Sequence, residues 1–391
     1  MPRAEVIAGG TIASPIFTGG GTNYVVQTLS GVLYLVYLQR DQDVYFIKSS
    51  NNGLSWSVPT LIFTGTVTAI SVWYDRWSNV SGNLIHIAYT ESVGSDILYR
   101  NINTASSDAL STQTTVFAGA SVANGGALTI TRGRNGDLRV AGSIDAGTED
   151  GAWSSTDVGA TWTDTIADPS EGATQDQYLL LPGWNADTAD VMLIFWDASA
   201  NELSVKRYDD SANTWAETSI ATSMTDVAAT SSFPHLAACV DIANSRNIIV
   251  AWSAVDTANA NLRCWIVTDT TITETSANVV LNSTDDQGGC GVALDTVSGY
   301  WYVIYGGLSD GSQTWQSAIQ LYYKYSTDGG ATWSTEKTLT TVTRNTAWFI
   351  TTPRFFGEFG VAFYYSGVPD PSMLYSAPLQ LGVRARSMIG M

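Results

Sequence analysis

Seven β-rich runs at near-constant spacing, an octad that repeats in phase with them, and no convincing amphipathic helix predict an all-β fold. The architecture they point to is a β-propeller of four-stranded antiparallel blades. The runs are VLYLVYL (32–38), NLIHIAY (83–89), DLRVAGS (137–143), DVMLIFW (190–196), RNIIVAW (246–252), YWYVIYG (300–306) and EFGVAFYYS (358–366). Each is rich in β-branched or aromatic residues and bounded by turn-forming Gly, Asn, Asp or Ser. Their starts are 51, 54, 53, 56, 54 and 58 residues apart, room for four short strands each. Seven runs predict seven blades.

Taken in order, the blades are expected at 24–63, 69–117, 127–165, 177–221, 235–281, 289–340 and 347–377. The last is short and lacks the octad, so the N-terminal segment 5–17 is expected to supply its outer strand. That pairing closes the ring and removes an exposed edge; Leu379 to Val383 is the other candidate for the slot. No linker or shift in composition marks a second domain, so residues 1–391 read as one propeller.

The octad S-x-D-x-G-x-T-W occurs at Ser155–Trp162 and Ser326–Trp333, with Asp157, Gly159, Asp328 and Gly330 at its inner positions. Ser49–Trp56 fits with Asn51 for Asp and Ser55 for Thr, keeping Gly53; Asp210–Trp215 is a degenerate copy with Ala212 in place of Gly. Locally, the Asp or Asn side chain folds back on backbone N–H groups to make a tight turn. Glycine supplies the positive φ the turn needs, and tryptophan fills the seam beside the strand.

These octads resemble the Asp box of the bacterial-neuraminidase-repeat (BNR), sialidase-like propellers, and the resemblance covers most of the chain. It implies that each octad joins the third and fourth strands of a blade, on the face opposite the active site, as a structural element. It also makes a six-bladed, sialidase-type ring the alternative to seven blades. In such a family the substrate carboxylate is held by three converging arginines, because a guanidinium fork matches a carboxylate. The early Arg-Ile-Pro motif has no counterpart, since the corresponding stretch reads TNYVVQTL (22–29). A true sialidase is therefore not expected.

Charge narrows the partners. The chain carries 18 Lys+Arg against 36 Asp+Glu, a formal net charge of −18. Phosphate backbones and anionic lipid attract basic proteins, so nucleic acid and membrane docking are excluded as expectations. No apolar run approaches the roughly 20 residues that span a bilayer. The N-terminal MPRAEVIAGG does not read as a secretory signal. Cys239, Cys264 and Cys290 are odd in number and lie in apolar runs, which suits buried thiols. With only His86 and His235, a zinc site has few ligands, and no metal or cofactor is expected. The adjacent Asp285 and Asp286 are the Ca²⁺ candidates, without EF-hand spacing.

Propeller connectivity assigns the interblade loops and the second-to-third-strand loops to one face, the functional face in the resembled family. That face collects most of the acids, Asp41, Asp43, Glu91, Asp96, Asp145, Asp168, Asp197 and Asp285 among them. Its basic residues are chiefly Arg40 and Arg344; Arg76, Arg132, Arg134, Arg246 and Arg354 fall on the octad face. Trp315 and Trp348 sit in or beside functional-face loops, where rings stack on the apolar side of neutral sugars. His235 follows Phe233-Pro234 at the mouth of the fifth blade. The expectation is a non-catalytic glycan-recognition module binding a cell-surface polysaccharide through Trp315, Trp348, His235, Arg344, Arg40, Asp145 and Asp285. Four Lys in the whole chain and abundant Thr, Ser, Ala and Gly suit an extracellular or virion-surface protein, with other virion proteins as partners. A glycoside hydrolase using an Asp/Glu pair and a purely structural docking propeller are the alternatives.

Overall fold

The computed structural model describes residues 5–8, 24–39, 41–53, 55–78, 80–119, 128–144, 149–164, 166, 168–169, 177–185, 187–197, 200–224, 236–254, 260–283, 290–307, 320–339, 347–350, 354–355, 360–365 and 373–378. Among these the strands form seven separate sheets, I to VII in chain order, and there is no α-helix.

Sheet I runs Val25–Gln27, Leu33–Leu38, Val44–Ser49 and Thr60–Phe63, and sheet II runs Val67–Tyr74, Leu84–Glu91, Asp96–Asn103 and Thr114–Phe117. Sheet III has three strands, Leu128–Arg132, Leu138–Ile144 and Glu149–Ser155, with a bridge from Ser154 to Thr163 where a fourth would begin. Sheet IV consists of Gln177–Asn185, Ala189–Asp197, Glu202–Asp209 and Thr214–Thr222, and sheet V of Leu236–Asp241, Arg246–Ala254, Ala260–Val267 and Ile272–Glu274. Sheet VI contains Cys290–Asp295, Trp301–Gly307, Gln320–Ser326 and Lys337–Thr338, and Arg354–Phe355 adds to its first strand in parallel. Ala347–Ile350, Gly360–Tyr365 and Met373–Pro378 form sheet VII, and Glu5–Ala8 pairs antiparallel with Met373–Pro378 as its outermost strand. N-terminal and C-terminal segments thus share one sheet.

The apolar runs that set the repeat are the second strands of the sheets. Leu33–Leu38 is buried at every position, and Ala189–Asp197 at all but the last. Such strands are covered on both sides, so they read as continuous apolar runs rather than as alternation. Outer strands show the reverse, as at Thr214–Thr222, where no residue is buried.

First strands of successive sheets are neighbours. Leu128–Arg132 packs between Val67–Tyr74 and Gln177–Asn185, and Leu236–Asp241 between Gln177–Asn185 and Cys290–Asp295. Hydroxyls peg these strands together: the Ile130 amide donates to Ser71 Oγ (3.0 Å) and the Leu180 amide to Thr129 Oγ1 (2.9 Å). Consecutive sheets packed face to face around their first strands are the blades of a propeller. Trp196, Trp252 and Trp301 are buried between them, as are Cys239, Cys264 and Cys290.

Candidate functional site

Each octad joins the third strand of its sheet to the outer edge, and the three share one hydrogen-bond pattern. Ser155 Oγ donates to Asp157 Oδ1 (2.8 Å) and accepts from the Gly159 amide (2.7 Å), while the Thr161 amide donates to Asp157 Oδ1 (2.8 Å). Ser326, Asp328, Gly330 and Thr332 repeat these bonds at 2.8, 2.8 and 2.9 Å, as do Ser49, Asn51, Gly53 and Ser55 at 2.9 Å each. Gly53, Gly159 and Gly330 have φ of 80°, 85° and 87°, which other residues rarely adopt. Hydrogen bonds from the Thr161 hydroxyl and amide, and from Ser155, hold Asp157 at about 2; Thr332 and Ser326 do the same for Asp328. These carboxylates are fixed acceptors rather than proton donors.

Two of the octads also fasten their sheet to the preceding one. Trp162 meets Tyr99 edge-on at 5.3 Å, and its indole N–H donates to Thr114 Oγ1 (3.3 Å). Trp333 donates to the Ala277 carbonyl (3.2 Å). The degenerate copy does not form this structure. Thr214 pairs directly with Asp209, so the chain reverses as a tight hairpin, and it is Asp209 that accepts from the Ala212 amide (2.9 Å). Without the octad glycine the fourth strand starts at once. Asp210 turns instead to Arg139 (2.7 Å).

On the octad face the arginines are engaged in packing. Arg76 donates to the Gly82 carbonyl (2.8 Å), Arg134 lies over Trp184 (5.5 Å), and Arg246 pairs with Asp241 (2.8 Å) while covering Trp301 (4.9 Å). Arg132 pairs with Asp75, whose Oδ1 also meets His86 Nε2 at 2.9 Å; His86 Nδ1 lies 2.6 Å from the Tyr99 hydroxyl. Burial pushes His86 below its ordinary value, against the pull of the Asp75 carboxylate. Burial would raise Asp75, but the bonds from His86, the Leu84 amide and Arg132 prevail and lower it. A second buried group joins sheets III and IV, where Arg139 faces Asp190 (3.3 Å), Asp210 and Asp137 (3.5 Å). Burial drives Asp190 up to about 6, against the Asn135 amide and Arg139. Sequence reasoning missed both groups. Their signal was an acid or arginine at turns between first and second strands, which looks like ordinary loop polarity.

At the opposite, interblade-loop end, described carboxylates bind backbone. Asp43 accepts from the Gly65 amide (2.9 Å), and one sheet later Asp96 accepts from Gly119 (3.0 Å). Asp168 accepts from Ala152 (3.2 Å), Asp197 from Ala200 (2.8 Å), Asp41 from Asp43 (3.1 Å) and Glu91 from Val93 (3.0 Å). These acids brace loops. The predicted ligand-binding residues Trp315, His235, Arg344, Arg40, Asp145 and Asp285 lie outside the described residues. Of Trp348 only the strand is described, paired at Tyr364. No group of three His, Cys, Asp or Glu among the described residues could hold a metal ion, and no helix there is long and apolar enough to cross a membrane.

No family model matches the chain, and no curated protein is similar to it in sequence. Among solved structures it is similar to a polysaccharide lyase, an ulvan lyase, with a TM-score of 0.60 at 10% identity over 97% of this chain and 98% of that one. The same kind of lyase bound to -[GlcA(1-4)Rha3S]- superposes with a TM-score of 0.57, again at 10% identity and over 97% and 98% of the two chains. A Hadza microbial sialidase gives 0.48 at 13% identity, over 92% of this chain and 65% of that one. At such identities what is shared is the fold. The chain is an all-β propeller of antiparallel, mostly four-stranded blades.

Proposed function

We propose that this propeller recognises a neutral or weakly charged glycan through its interblade-loop face and does not cleave it. The observation that carries the reading is the state of the carboxylates there. Asp41, Asp43, Glu91, Asp96, Asp168 and Asp197 each hold a loop amide, so they are not a free acid/base pair. The end-to-end likeness to a polysaccharide lyase supports carbohydrate as the ligand class. The net charge of −18 favours a neutral sugar over an anionic one. In this reading Trp315 and Trp348 are the stacking platforms. The test is direct: Trp315→Ala and Trp348→Ala lose glycan binding while Asp43→Asn keeps it. Binding that survives both tryptophan changes refutes the assignment.

The finer architecture belongs to the same proposal. The three octads are read as Asp boxes on their shared hydrogen bonds, and the ring as one of seven blades or, in the sialidase-type alternative, six. An extracellular or virion-surface setting, with other virion proteins as partners, rests on composition alone, and immunogold labelling of purified particles would test it.

A cleaving enzyme is the second reading, favoured by the coverage of the lyase likeness. A hydrolase releases reducing ends, whereas a lyase acting on a uronate leaves an unsaturated product that absorbs in the ultraviolet. Either signal on a polysaccharide panel would displace the recognition reading.

A further inference from the structure

On the octad face a cleft of about 650 Å³ opens between sheets I and II. Its size is that of a small-molecule pocket, roughly 300–1,000 Å³. One side is the first octad with Ser50, Ser55 and the half-buried Trp56; the other is the turn Thr104–Asp108 after the third strand of sheet II. Asp108 reaches across the seam, accepting from the Tyr34 hydroxyl (2.6 Å) and pairing with Lys48. Its side chain is 11% exposed, against 44% for Lys48. The turn presents it by holding Ser107 and Asp108 at φ of 51° and 62°, two successive left-handed residues without glycine. That conformation is strained and persists where surrounding structure fixes it, often at ligand sites.

The chemistry of the lining is specific. Thr28, Ser30, Ser55, Ser57 and Thr104 line it with hydroxyls that already bond within the protein and keep their remaining lone pairs, Ser50 adds another hydroxyl, Lys48 and Asp108 cancel in charge, and Trp56 contributes an aromatic ring. Trp56 differs from its counterparts: Trp162 and Trp333 donate their indole N–H to the preceding sheet, whereas that of Trp56 has no hydrogen-bond partner among the described residues. Hydroxyl-rich walls, a neutral donor–acceptor pair and an aromatic surface match a polyhydroxylated ligand without charge.

We propose that this cleft is a second binding site, for a neutral mono- or disaccharide, on the face opposite the interblade loops. It does not depend on the interblade-face reading. The probe is a panel of neutral mono- and disaccharides, followed by saturation-transfer NMR and calorimetry on the intact chain. Ser50→Trp fills the cleft at an octad position occupied by Thr156 and Thr327 in the other copies, leaving the octad hydrogen bonds in place. Lys48→Met removes the exposed donor and is the second variant. The expected result is a saccharide that wild type binds and both variants bind at least about tenfold more weakly. Their melting temperatures stay unchanged, and Trp315→Ala and Trp348→Ala bind as wild type. No binding by any saccharide of the panel, or undiminished binding in both cleft variants, overturns the site. Polymer binding scored on the tryptophan variants reads the interblade face separately.

Discussion

Asp157 and Asn51 close the same turn with opposite polarity at one bond. Asp157 Oδ2 accepts from the Thr161 hydroxyl (2.6 Å), whereas Asn51 Nδ2 donates to Ser55 Oγ (2.8 Å). The octad therefore needs a planar side chain with an acceptor for the backbone amides, and a charge is dispensable. Asp157→Asn is expected to melt near wild type and Asp157→Ala clearly lower, measured by calorimetry at neutral pH. Equal melting of the two would show that the turn does not rest on this side chain. Two buried groups give opposite pH slopes. The folded state disfavours protonated His86, so that contribution is present above its ordinary 6.5 and lost as pH falls. Asp190 is raised from 3.8 to about 6, so its contribution is present below 3.8 and lost as pH rises through 6. Denaturant titrations at intervals from pH 4 to 7 should show Asp190→Asn abolishing the loss on the alkaline side. An unchanged slope would place the charge of Asp190 elsewhere in the balance.

Strands made the fold legible. A second strand covered on both faces must be apolar throughout, so Leu33–Leu38, Ala189–Asp197 and their equivalents announced themselves and fixed the period. The octads were legible because a turn with positive φ and a filled seam admits few residue types. Outer strands were not, since Lys337–Thr338 is two exposed residues whose place is set by the third strand beside it. Also hidden were the hydroxyl pegs between first strands, because a Ser or Thr in an apolar run looks neutral until its neighbour is known. Ser71→Ala and Thr129→Val each strand a buried amide, of Ile130 and of Leu180. Each should cost about 1–3 kcal/mol in urea unfolding. A cost below 0.5 kcal/mol, roughly the scale of a neutral surface change, would mean the amides find other acceptors.

At the scale of the molecule, the two ends of the chain pair in one sheet. Glu5 lies opposite Ser376 and Val6 opposite Tyr375. Deleting residues 1–8 should lower the melting temperature and leave Met373–Pro378 as an open edge. Light scattering would then register more association than the full chain shows; an unchanged variant would show that this strand does not protect the edge. The candidate site was less legible than the fold. Loop acids such as Asp43 and Asp96 look alike whether they brace a backbone amide or face a ligand, and only geometry separates the two. The cleft beside Trp56 was invisible for a related reason, since it is assembled from two sheets and its residues lie scattered between Thr28 and Asp108.

The most direct measurement of the central claim is a glycan array read for binding, with the same glycans assayed for reducing ends and for ultraviolet-absorbing product. Stoichiometric binding to neutral glycans with neither product is the predicted result. Release of either product, or no binding to any glycan, would contradict it.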